Sequence, residues 1–514
     1  MIGAFVLTYS SLWLESENSF VAFLVFRIFS LFLFRQIWNY RMDPFFSILC
    51  KVLFLAIVLS TVFLVILDNR SPFKTMAWIL LLYFLPLPGL FLYFFIGRSN
   101  RKEHLISRSG YTRLSKHPMQ EYQNQVSLSD ASETNRLRGF FHRVNGALAF
   151  GGNRVSVFTE GTSMVNALVE DIRQARHHVH LEFYIFENDE VGRLLRDALV
   201  ERVRAGVQVR LLYDDVGCWK VDKLFFDRMM CEGIEVQAFL KVRFPSFTSK
   251  VNYRNHRKLV IIDGQVGYIG GMNIAERYLH GVSGGTWRDT HVRVEGKAVY
   301  GLQTAFLTDW YAMDRTLYTA SEFFPRMEED RGTVVAQVVT SDAVGQWKDI
   351  MQGLVMAISN AKRYFYVQTP YFLPTEEVMT ALQTAALAGV DVRVMLPKRA
   401  DAFITHKGSL SYLDELMEAG VKVYLYKPGF LHSKLWVWDD EMASVGSTNM
   451  DFRSFEHNFE ANIFFYNVEM ALHLKEIFWE DQCHCLLLSP KVWARRAWKN
   501  KVAESVIRLL APLL

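Results

Sequence analysis

Cysteine is scarce in this chain, which has five among 514 residues. The five, at positions 50, 218, 231, 483 and 485, give no disulfide framework. This excludes a small secreted domain held together by disulfides and suits a reducing cytosol. Cys483 and Cys485 flank one histidine, a spacing too compact for a standard zinc site, and no second pair of ligands accompanies them. The sequence therefore predicts no metal site.

The chain also has little excess of charge of either sign. It contains 57 lysines and arginines against 53 aspartates and glutamates, a net charge of +4. Such a weak basic balance argues against nucleic acid as a partner. The apolar stretch 20–34 contains Arg27 and has no cationic region before it, so it does not have the pattern of a cleaved signal peptide. We expect it to be interfacial or to form a further membrane span.

Apolar residues are abundant instead. They make up 51% of the chain, with 40 phenylalanines. Two runs, 45–67 and 75–97, each meet the roughly 20 residues that a helix needs to cross a bilayer. Lys51 lies near one end of the first run, where it can snorkel, and Pro86 and Pro88 imply a kink in the second. We predict transmembrane helices here; two buried helices of a soluble protein are the alternative.

A cationic stretch follows the second apolar run. Up to residue 116 it is opposed only by Glu103, and it comprises Arg98, Arg101, Lys102, Arg108, Arg113 and Lys116. The positive-inside rule then places the chain after residue 97 in the cytoplasm. This stretch reads as a linker that would also attract anionic lipid headgroups.

One pattern of six positions occurs twice with identical internal spacing. Its copies are His256, Lys258, Asp263, Gly270, Gly271 and Asn273, and then His432, Lys434, Asp439, Gly446, Ser447 and Asn449. Alternate residues of a strand point to one face, so each histidine projects together with its lysine. Asp263-Gly264 and Asp439-Asp440 indicate hairpin turns, after which a second strand brings the asparagine back to the histidine end.

The residues gathered in this way suit a phosphate group. Lysine binds phosphate as a point charge, and glycine allows close backbone approach. Two such half-sites would clamp one phosphodiester between two histidines, one attacking phosphorus and the other transferring protons. The candidate catalytic residues are His256, Lys258, Asp263, His432, Lys434 and Asp439, and the candidate phosphate ligands are Asn273, Asn449 and Ser447. The two aspartates lie at predicted turns, so a structural role is favoured for them. A metal is disfavoured because each lysine would repel a cation.

From about residue 145 the pattern alternates between strands and helices. The order strand, helix, Ala-Gly-Val, strand occurs twice, with Ala-Gly-Val beginning at 205 and at 388. We predict an α/β fold of two similar halves, each a mixed sheet flanked by helices, related by a pseudo-twofold axis. The predicted segments are an N-terminal segment 1–44, two transmembrane helices within 45–97, a basic linker 98–144, a first half 145–335, a second half 336–485 and a C-terminal helix 486–514.

The duplicated pattern resembles that of the phospholipase D superfamily. Within it, the apolar N-terminal pair, the stretch 447–460 and the ending 508–514 resemble the bacterial cardiolipin synthases. The resemblance implies two phospholipase D-like halves and a downstream carboxylate that supports each motif histidine. The matching positions here are Asp289 and Glu460.

The resemblance also implies a mechanism. His256 is then the nucleophile and His432 the general acid and base, an order that the residues alone leave open. The implied lipids are phosphatidylglycerol and cardiolipin, the implied location is the bacterial inner membrane, and no metal or nucleotide cofactor is needed. One phosphatidylglycerol would give its phosphatidyl group to another and release glycerol.

Several alternatives stay open at this stage. The same chemistry with water as acceptor would make the chain a membrane-bound phospholipase D, which composition does not separate from a transferase. A nuclease of the superfamily is disfavoured because its reaction does not require membrane spans. A non-enzymatic membrane scaffold is disfavoured because both motifs are complete. The second lipid, phosphatidylglycerol or phosphatidylethanolamine, the acyl preference and the oligomeric state are not given by the sequence.

The C-terminal stretch 486–514 mixes tryptophan with cations. It contains Trp493, Arg495, Arg496, Trp498, Lys499 and Lys501. We predict a basic amphipathic helix that lies at a membrane surface or packs on the catalytic domain.

Overall fold

The computed structural model describes residues 44–67, 72–93, 133–242, 252–282, 285–316, 318, 320–509 and 511. The chain divides into two compact units, Met1–Ser99 and Asn100–Leu514. The predictions for residues 1–43 and for most of the basic linker lie outside the described residues.

Three helices form the described part of the first unit: α1 (Pro44–Leu67), α2 (Pro72–Phe84) and α3 (Pro86–Leu92). They share a small apolar cluster in which the Trp78 and Tyr93 rings lie 5.5 Å apart. The second apolar run is interrupted at Leu85, because a residue that precedes proline is pushed out of the helical conformation. Among the residues that the structure describes, no helix is long and apolar enough to cross a membrane. The predicted spans stay a prediction.

The described part of the second unit starts with a helix in the region predicted as a linker. This helix, α4 (Glu133–Asn145), buries Leu137 and Phe141. The strands that follow are β1 (Ala149–Phe158), β2 (His178–Phe183), β3 (Gln208–Asp214), β4 (Glu235–Phe239), β5 (Arg254–Asn255), β6 (Lys258–Ile262), β7 (Val266–Gly270), β8 (Thr286–Arg288) and β9 (His291–Glu295). The helices among them are α5 (Gly161–Gln174), α6 (Glu190–Arg204), α7 (Lys223–Cys231), α8 (Arg277–His280) and α9 (Val299–Asp314).

The chain then builds a similar series of elements. Its strands are β10 (Val334–Ser341), β11 (Tyr364–Gln368), β12 (Phe372–Leu373), β13 (Asp391–Pro397), β14 (Lys422–Tyr426), β15 (Gly429–Leu431), β16 (Leu435–Trp438), β17 (Met442–Gly446), β18 (Met450–Asp451), β19 (Asn458–Tyr466) and β20 (Cys485–Leu487). Its helices are α10 (Asp349–Asn360), α11 (Glu376–Leu387), α12 (Phe403–Leu410), α13 (Leu413–Glu418), α14 (Phe452–Glu456), α15 (Val468–Cys483), α16 (Pro490–Ala494) and α17 (Trp498–Arg508).

One mixed sheet of 16 strands runs through the second unit. At its centre β1 and β10 pair antiparallel. Outward from β1 the order is β9, β7, β6, β2, β3, β4, and outward from β10 it is β19, β17, β16, β11, β13, β14, with β20 at the edge. On both sides the outer three of these strands run parallel to one another. The predicted α/β fold with a mixed sheet is confirmed.

The two motif hairpins form adjacent strand pairs, β6–β7 and β16–β17. Their turns place Asp263 and Gly264 at φ +51° and +65°, and Asp439 and Asp440 at φ +56° and +60°. Two successive residues with positive φ are typical of the tight turn that matches the twist of a hairpin, and aspartate and glycine are among the residues that tolerate it.

The two sides of the sheet share one apolar core. Tyr300 and Trp310 of α9 and Phe478 of α15 belong to the same buried cluster as Val292 of β9 and Ile463 of β19. Because this cluster is continuous across the β1–β10 pair, it fixes the positions of the two motif hairpins relative to each other.

Candidate active site

His256 is positioned by a strand from the other side of the sheet. It follows β5, which pairs parallel with β19, and its backbone N–H donates to Phe459 O at 2.9 Å. Its imidazole Nδ1 lies 3.0 and 3.1 Å from the two carboxylate oxygens of Glu460. The partner of the first motif histidine therefore comes from the second half of the chain.

His432 has the reciprocal arrangement. It follows β15, which pairs parallel with β8, and its backbone N–H donates to Arg288 O at 2.7 Å. Its Nδ1 lies 2.6 Å from Asp289 Oδ2. Asp289 and Glu460 thus contact the motif histidines, but each supports the histidine of the opposite half and not the histidine upstream of it in its own half. With Nδ1 held by a carboxylate, the Nε2 atom of each ring is the one available to a substrate.

Both supporting carboxylates are ionised and fully buried. Burial alone would raise the pKa of Glu460, but the charges of His256 and Lys258 and its hydrogen bonds lower it below the ordinary value. The pKa of Asp289 is lowered in the same way, with burial outweighed by His432 and Lys434. Each carboxylate can therefore accept a hydrogen bond from Nδ1–H and stabilise an imidazolium.

The two imidazoles are neutral at neutral pH. Burial lowers the pKa of His256 to about 4, and burial together with the charge of Lys434 lowers the pKa of His432 to about 3. A neutral Nε2 carries the lone pair that a nucleophile or general base needs.

The motif lysines lie beside the histidines. Lys258 and Lys434 are fully buried, and the Nζ of each donates to the backbone carbonyl of its own motif histidine. Burial lowers the pKa of Lys434 to about 8, although Asp289 and Glu460 oppose the shift, and it also lowers the pKa of Lys258. A phosphate anion between them would replace the solvation that burial has removed from both ammonium groups.

Ser447 serves Glu460. Its hydroxyl donates to Glu460 Oε2 and accepts from Ala461 N–H at 3.0 Å. Phosphate binding by Ser447 stays a prediction. The other half has Gly271 at this place, where an added Cβ would lie 2.0 Å from Asp289 Oδ1. The glycine–aspartate pair of one half and the serine–glutamate pair of the other therefore fill equivalent spaces beside the two histidines.

The two motif asparagines differ in their surroundings. Asn273 Oδ1 accepts from Ile185 N–H at 3.1 Å and its Nδ2 donates to Tyr278 OH, so both ends of this amide are bound within the protein. Asn449 Oδ1 is buried with no hydrogen-bond partner. Phosphate binding by either residue stays a prediction.

Asp263 and Asp439 do not join the histidine site. Asp263 accepts backbone N–H groups of Arg176, His177 and His178 at 2.8–2.9 Å. Asp439 accepts from Lys362, Arg363 and Tyr364 at 2.8–3.1 Å. They lie at the far end of five- and four-residue strands, about 15 Å from the histidine end. These contacts hold the start of a neighbouring strand and agree with the structural role that the sequence favoured; a catalytic role for the two aspartates stays a prediction.

Sequence reasoning missed two buried arginines. Arg257 Nε donates to the backbone carbonyl of Glu460 at 3.1 Å, and Arg288 Nη1 donates to that of Asp289. Arg257 also pairs with Asp309 and Asp342, and Arg288 with Asp481. Each supporting carboxylate is thus held at its backbone by an arginine. The only signal is that Arg257 separates the motif histidine from its lysine and that Arg288 precedes Asp289.

Aromatic rings line the two histidines unequally. The Tyr184 ring lies 5.2 Å from that of His256, whereas Trp287 and Phe430 lie 5.1 and 5.7 Å from that of His432. The surroundings of His432 are the more aromatic.

Comparisons with known proteins agree with this geometry. The chain matches the family described as "Cardiolipin synthase, PLD-like domain" over residues 168–310 and 354–482, and "Phospholipase_D-nuclease N-terminal" over residues 52–98. It is 38% identical to a cardiolipin synthase of Geobacillus sp. (strain WCH70), covering 94% of this chain and 97% of the relative. It is also 38% identical to the major cardiolipin synthase ClsA of Bacillus subtilis (strain 168), covering 91% of this chain and 99% of that one.

Among solved structures, the phosphatidylserine synthase of Haemophilus influenzae Rd KW20 matches with a TM-score of 0.54 and 14% identity, covering 74% of this chain and all of that one. At that identity the likeness concerns the fold alone. The sequence relatives carry the assignment: this chain belongs to the cardiolipin synthase family of phospholipase D-like proteins.

Proposed function

We propose that the chain is a cardiolipin synthase that transfers a phosphatidyl group from one phosphatidylglycerol to the glycerol hydroxyl of another. The observation that carries the proposal is the crossed pair of buried histidine–carboxylate contacts, His256–Glu460 and His432–Asp289. Two imidazoles oriented through Nδ1 supply a nucleophile and a proton carrier without further groups.

In the first step His256 Nε2 attacks phosphorus. The P–O bond to the headgroup glycerol breaks, and His432 gives the leaving oxygen a proton from its own Nε2. His432 is neutral in the free site, and the negative charge of a bound phosphodiester would favour its protonated form. Lys258 and Lys434 stabilise the charge on the other phosphoryl oxygens.

In the second step a hydroxyl of another phosphatidylglycerol attacks the phosphatidyl-histidine. His432 takes the hydroxyl proton, a new P–O bond forms, and the P–N bond to His256 breaks. Cardiolipin and free glycerol are the products. The assignment of His256 as nucleophile rests on resemblance.

We also propose that the enzyme works at a membrane, with its second unit on the cytoplasmic side of a bacterial inner membrane. The helices of the first unit expose large apolar side chains, including Phe63, Tyr83 and Phe84 with 60%, 76% and 65% of their surface accessible. A patch of this kind is unfavourable in water and favours lipid. Protease protection of the second unit in inside-out against right-side-out vesicles tests the orientation.

The test of the reaction uses purified protein in detergent with phosphatidylglycerol as the only lipid. Thin-layer chromatography with mass spectrometry should show cardiolipin and free glycerol, and both should be lost in His256→Ala and His432→Ala that retain the circular dichroism of the parent. Phosphatidic acid as the main product would make water the acceptor and the protein a phospholipase D. Leu387→Glu, a change on the surface far from the site, is the matched control.

A further inference from the structure

Two exposed patches, each with an aromatic ring, an aliphatic side chain and two cations, occupy equivalent positions in the sheet. Each patch also has one exposed carboxylate beside it, Asp222 or Asp401. The β3 patch follows β3 and consists of Trp219, Lys220, Lys223 and Leu224. The β13 patch follows β13 and consists of Lys398, Arg399, Phe403 and Ile404. All eight side chains are exposed, Trp219 by 71% and Phe403 by 69%. β3 and β13 are each the fifth strand outward from the central strand of their side, so the two patches correspond.

Each patch adjoins one of the two histidines. Trp219 follows Cys218, and the Sγ atom of Cys218 lies 3.7 Å from the carbonyl oxygen of Tyr184. The ring of Tyr184 contacts that of His256. Asp401 lies in the loop between Arg399 and Phe403 of the β13 patch, and it accepts a hydrogen bond from the Tyr371 hydroxyl at 2.8 Å.

Tyr371 completes the second connection. Its ring lies 6.4 Å from that of Phe430, which in turn lies 5.7 Å from that of His432. The β3 patch therefore borders the site on the His256 side, and the β13 patch borders it on the His432 side.

Helix α17 extends the β13 patch with an inverted amphipathic pattern. Trp498, Val502, Val506 and Leu509 repeat at helical spacing along one face and are 69%, 51%, 56% and 79% exposed. The opposite face buries a charge instead: Glu504 is 2% exposed and accepts from Arg496 Nε at 3.0 Å. A helix that packs on a soluble domain normally buries its apolar face and exposes its charges.

The exposed face of α17 lies beside the exposed start of α12. Lys407 Nζ donates to Asn500 Oδ1 at 3.2 Å, and Arg508 Nη1 approaches Ser411 O at 3.5 Å. The two helices therefore run side by side in the same direction. Phe403, at the start of α12, lies at the same end as Trp498, at the start of α17.

The chemistry of this surface fits the interface of a bilayer that contains anionic lipid. Tryptophan, phenylalanine and aliphatic side chains enter the headgroup boundary, and the flanking cations attract anionic headgroups. In residues 490–509 the single carboxylate is the buried Glu504, while Lys491, Arg495, Lys499 and Lys501 are exposed. A second protein molecule with the same basic surface would be repelled.

We infer that the β3 patch, the β13 patch and the outer face of α17 seat the second unit on an anionic phospholipid surface, with the two-histidine site between the patches facing the lipid. The inference rests on the proposed function for the nature of the substrate. It explains how a headgroup reaches buried histidines: the site is presented to the bilayer, and the acyl chains stay in it.

Hydrogen exchange of the full chain in nanodiscs tests this docking without using activity. In discs rich in phosphatidylglycerol, peptides covering 216–224, 400–406 and 498–509 should exchange at least about tenfold more slowly than in discs of phosphatidylcholine alone. A peptide covering 380–390 is the internal control and should not change. Equal exchange in the two kinds of disc, or protection that follows protein concentration and not lipid charge, would overturn the inference, and the second result would indicate contact between copies.

A variant that replaces the two aromatic rings by carboxylates provides the functional readout. In Trp219→Glu/Phe403→Glu, the ratio of turnover on bilayer phosphatidylglycerol to turnover on dispersed short-chain phosphatidylglycerol should fall about tenfold or more. Leu387→Glu should leave the ratio unchanged. Leu387 is 74% exposed but ends the helix before β13, whereas Phe403 follows β13, so the two lie at opposite ends of that strand.

An unchanged ratio in the double variant would refute docking through these patches. Failure to form cardiolipin while lipid-dependent protection persists would refute the proposed reaction and leave the docking surface intact.

Discussion

His256 and Glu460 come from opposite sides of the central β1–β10 pair, yet the Nδ1 of one lies 3.0 Å from the Oε1 of the other. The contact exists because β5, two residues long, pairs with the start of β19. His432 and Asp289 meet through the corresponding pairing of β15 with β8. Each half of the sheet therefore orients the histidine of the other half.

The crossed contacts predict separable effects of the two carboxylates. Glu460→Gln should slow formation of the phosphatidyl-enzyme about 10²-fold or more, because it disorients the nucleophile His256. Asp289→Asn should leave the rate of that step unchanged when the leaving group is p-nitrophenolate, because this leaving group needs no proton. It should slow turnover, because the second step needs His432, which Asp289 orients. Burst kinetics with a phosphatidyl p-nitrophenyl ester measures both. A burst retained in Glu460→Gln and lost in Asp289→Asn would exchange the roles of the two histidines.

The space beside each carboxylate predicts a second difference. Gly271→Ala should lower kcat about 10²-fold or more, since its Cβ would displace Asp289 from His432. Ser447→Ala removes one hydrogen bond to a charged acceptor, worth about 1.5–3 kcal/mol, and should cost on the order of tenfold. Gly151→Ala is the control, because its nearest neighbour would be 3.9 Å away. Equal effects of Gly271→Ala and Gly151→Ala would contradict this account.

The turn aspartates should matter for stability and not for chemistry. Asp263→Asn and Asp439→Asn each weaken hydrogen bonds to three backbone N–H groups, so each should lower the free energy of unfolding by about 1–3 kcal/mol. Thermal unfolding in detergent measures this, and kcat well below the unfolding temperature should stay within about twofold of the parent. A kcat reduced about 10²-fold in a variant of unchanged stability would instead support a catalytic role for these aspartates.

The depressed pKa values predict the pH profile of kcat/KM on the phosphatidyl p-nitrophenyl ester, whose leaving group needs no proton from His432. Activity should fall as the pH drops towards about 4, where His256 gains a proton and loses its lone pair, and should fall above about 8, where Lys434 loses its charge. Lys434→Arg keeps a cation at all accessible pH values. The fall in activity of this variant at high pH should therefore begin well above pH 8, whatever its absolute rate. If the fall still begins near pH 8, a group other than Lys434 causes it.

Much of the site followed from the duplicated motif because its spacing is local. Strand alternation and the Asp263 and Asp439 turns determine where His256, Lys258, His432 and Lys434 project, and these are short-range properties of the chain. The mixed α/β sheet followed from the alternation of strand and helix patterns.

The remaining features depend on contacts between distant segments. No periodicity reveals that β5 pairs with β19, so the crossing of Asp289 and Glu460 could not be predicted. The sequence predicted that the Ser447 hydroxyl binds phosphate. Its hydrogen bond to Glu460 is visible only in the folded structure, because it depends on how the two residues pack. The sequence of α17 indicated an amphipathic helix. Which of its faces is buried depends on the ion pairs that Arg496 and Lys407 form with Glu504, and these contacts join distant segments.

Reciprocal orientation has an evolutionary consequence. Once Glu460 serves His256 and Asp289 serves His432, neither half retains a complete histidine–carboxylate unit of its own. A gene fission would yield two inert fragments unless they reassociated face to face, and a harmful substitution in one half cannot be buffered by its sister copy. Loss of either half would therefore leave the other half's histidine without its carboxylate, although the two carboxylates are accommodated differently, with glycine beside aspartate on one side and serine beside glutamate on the other.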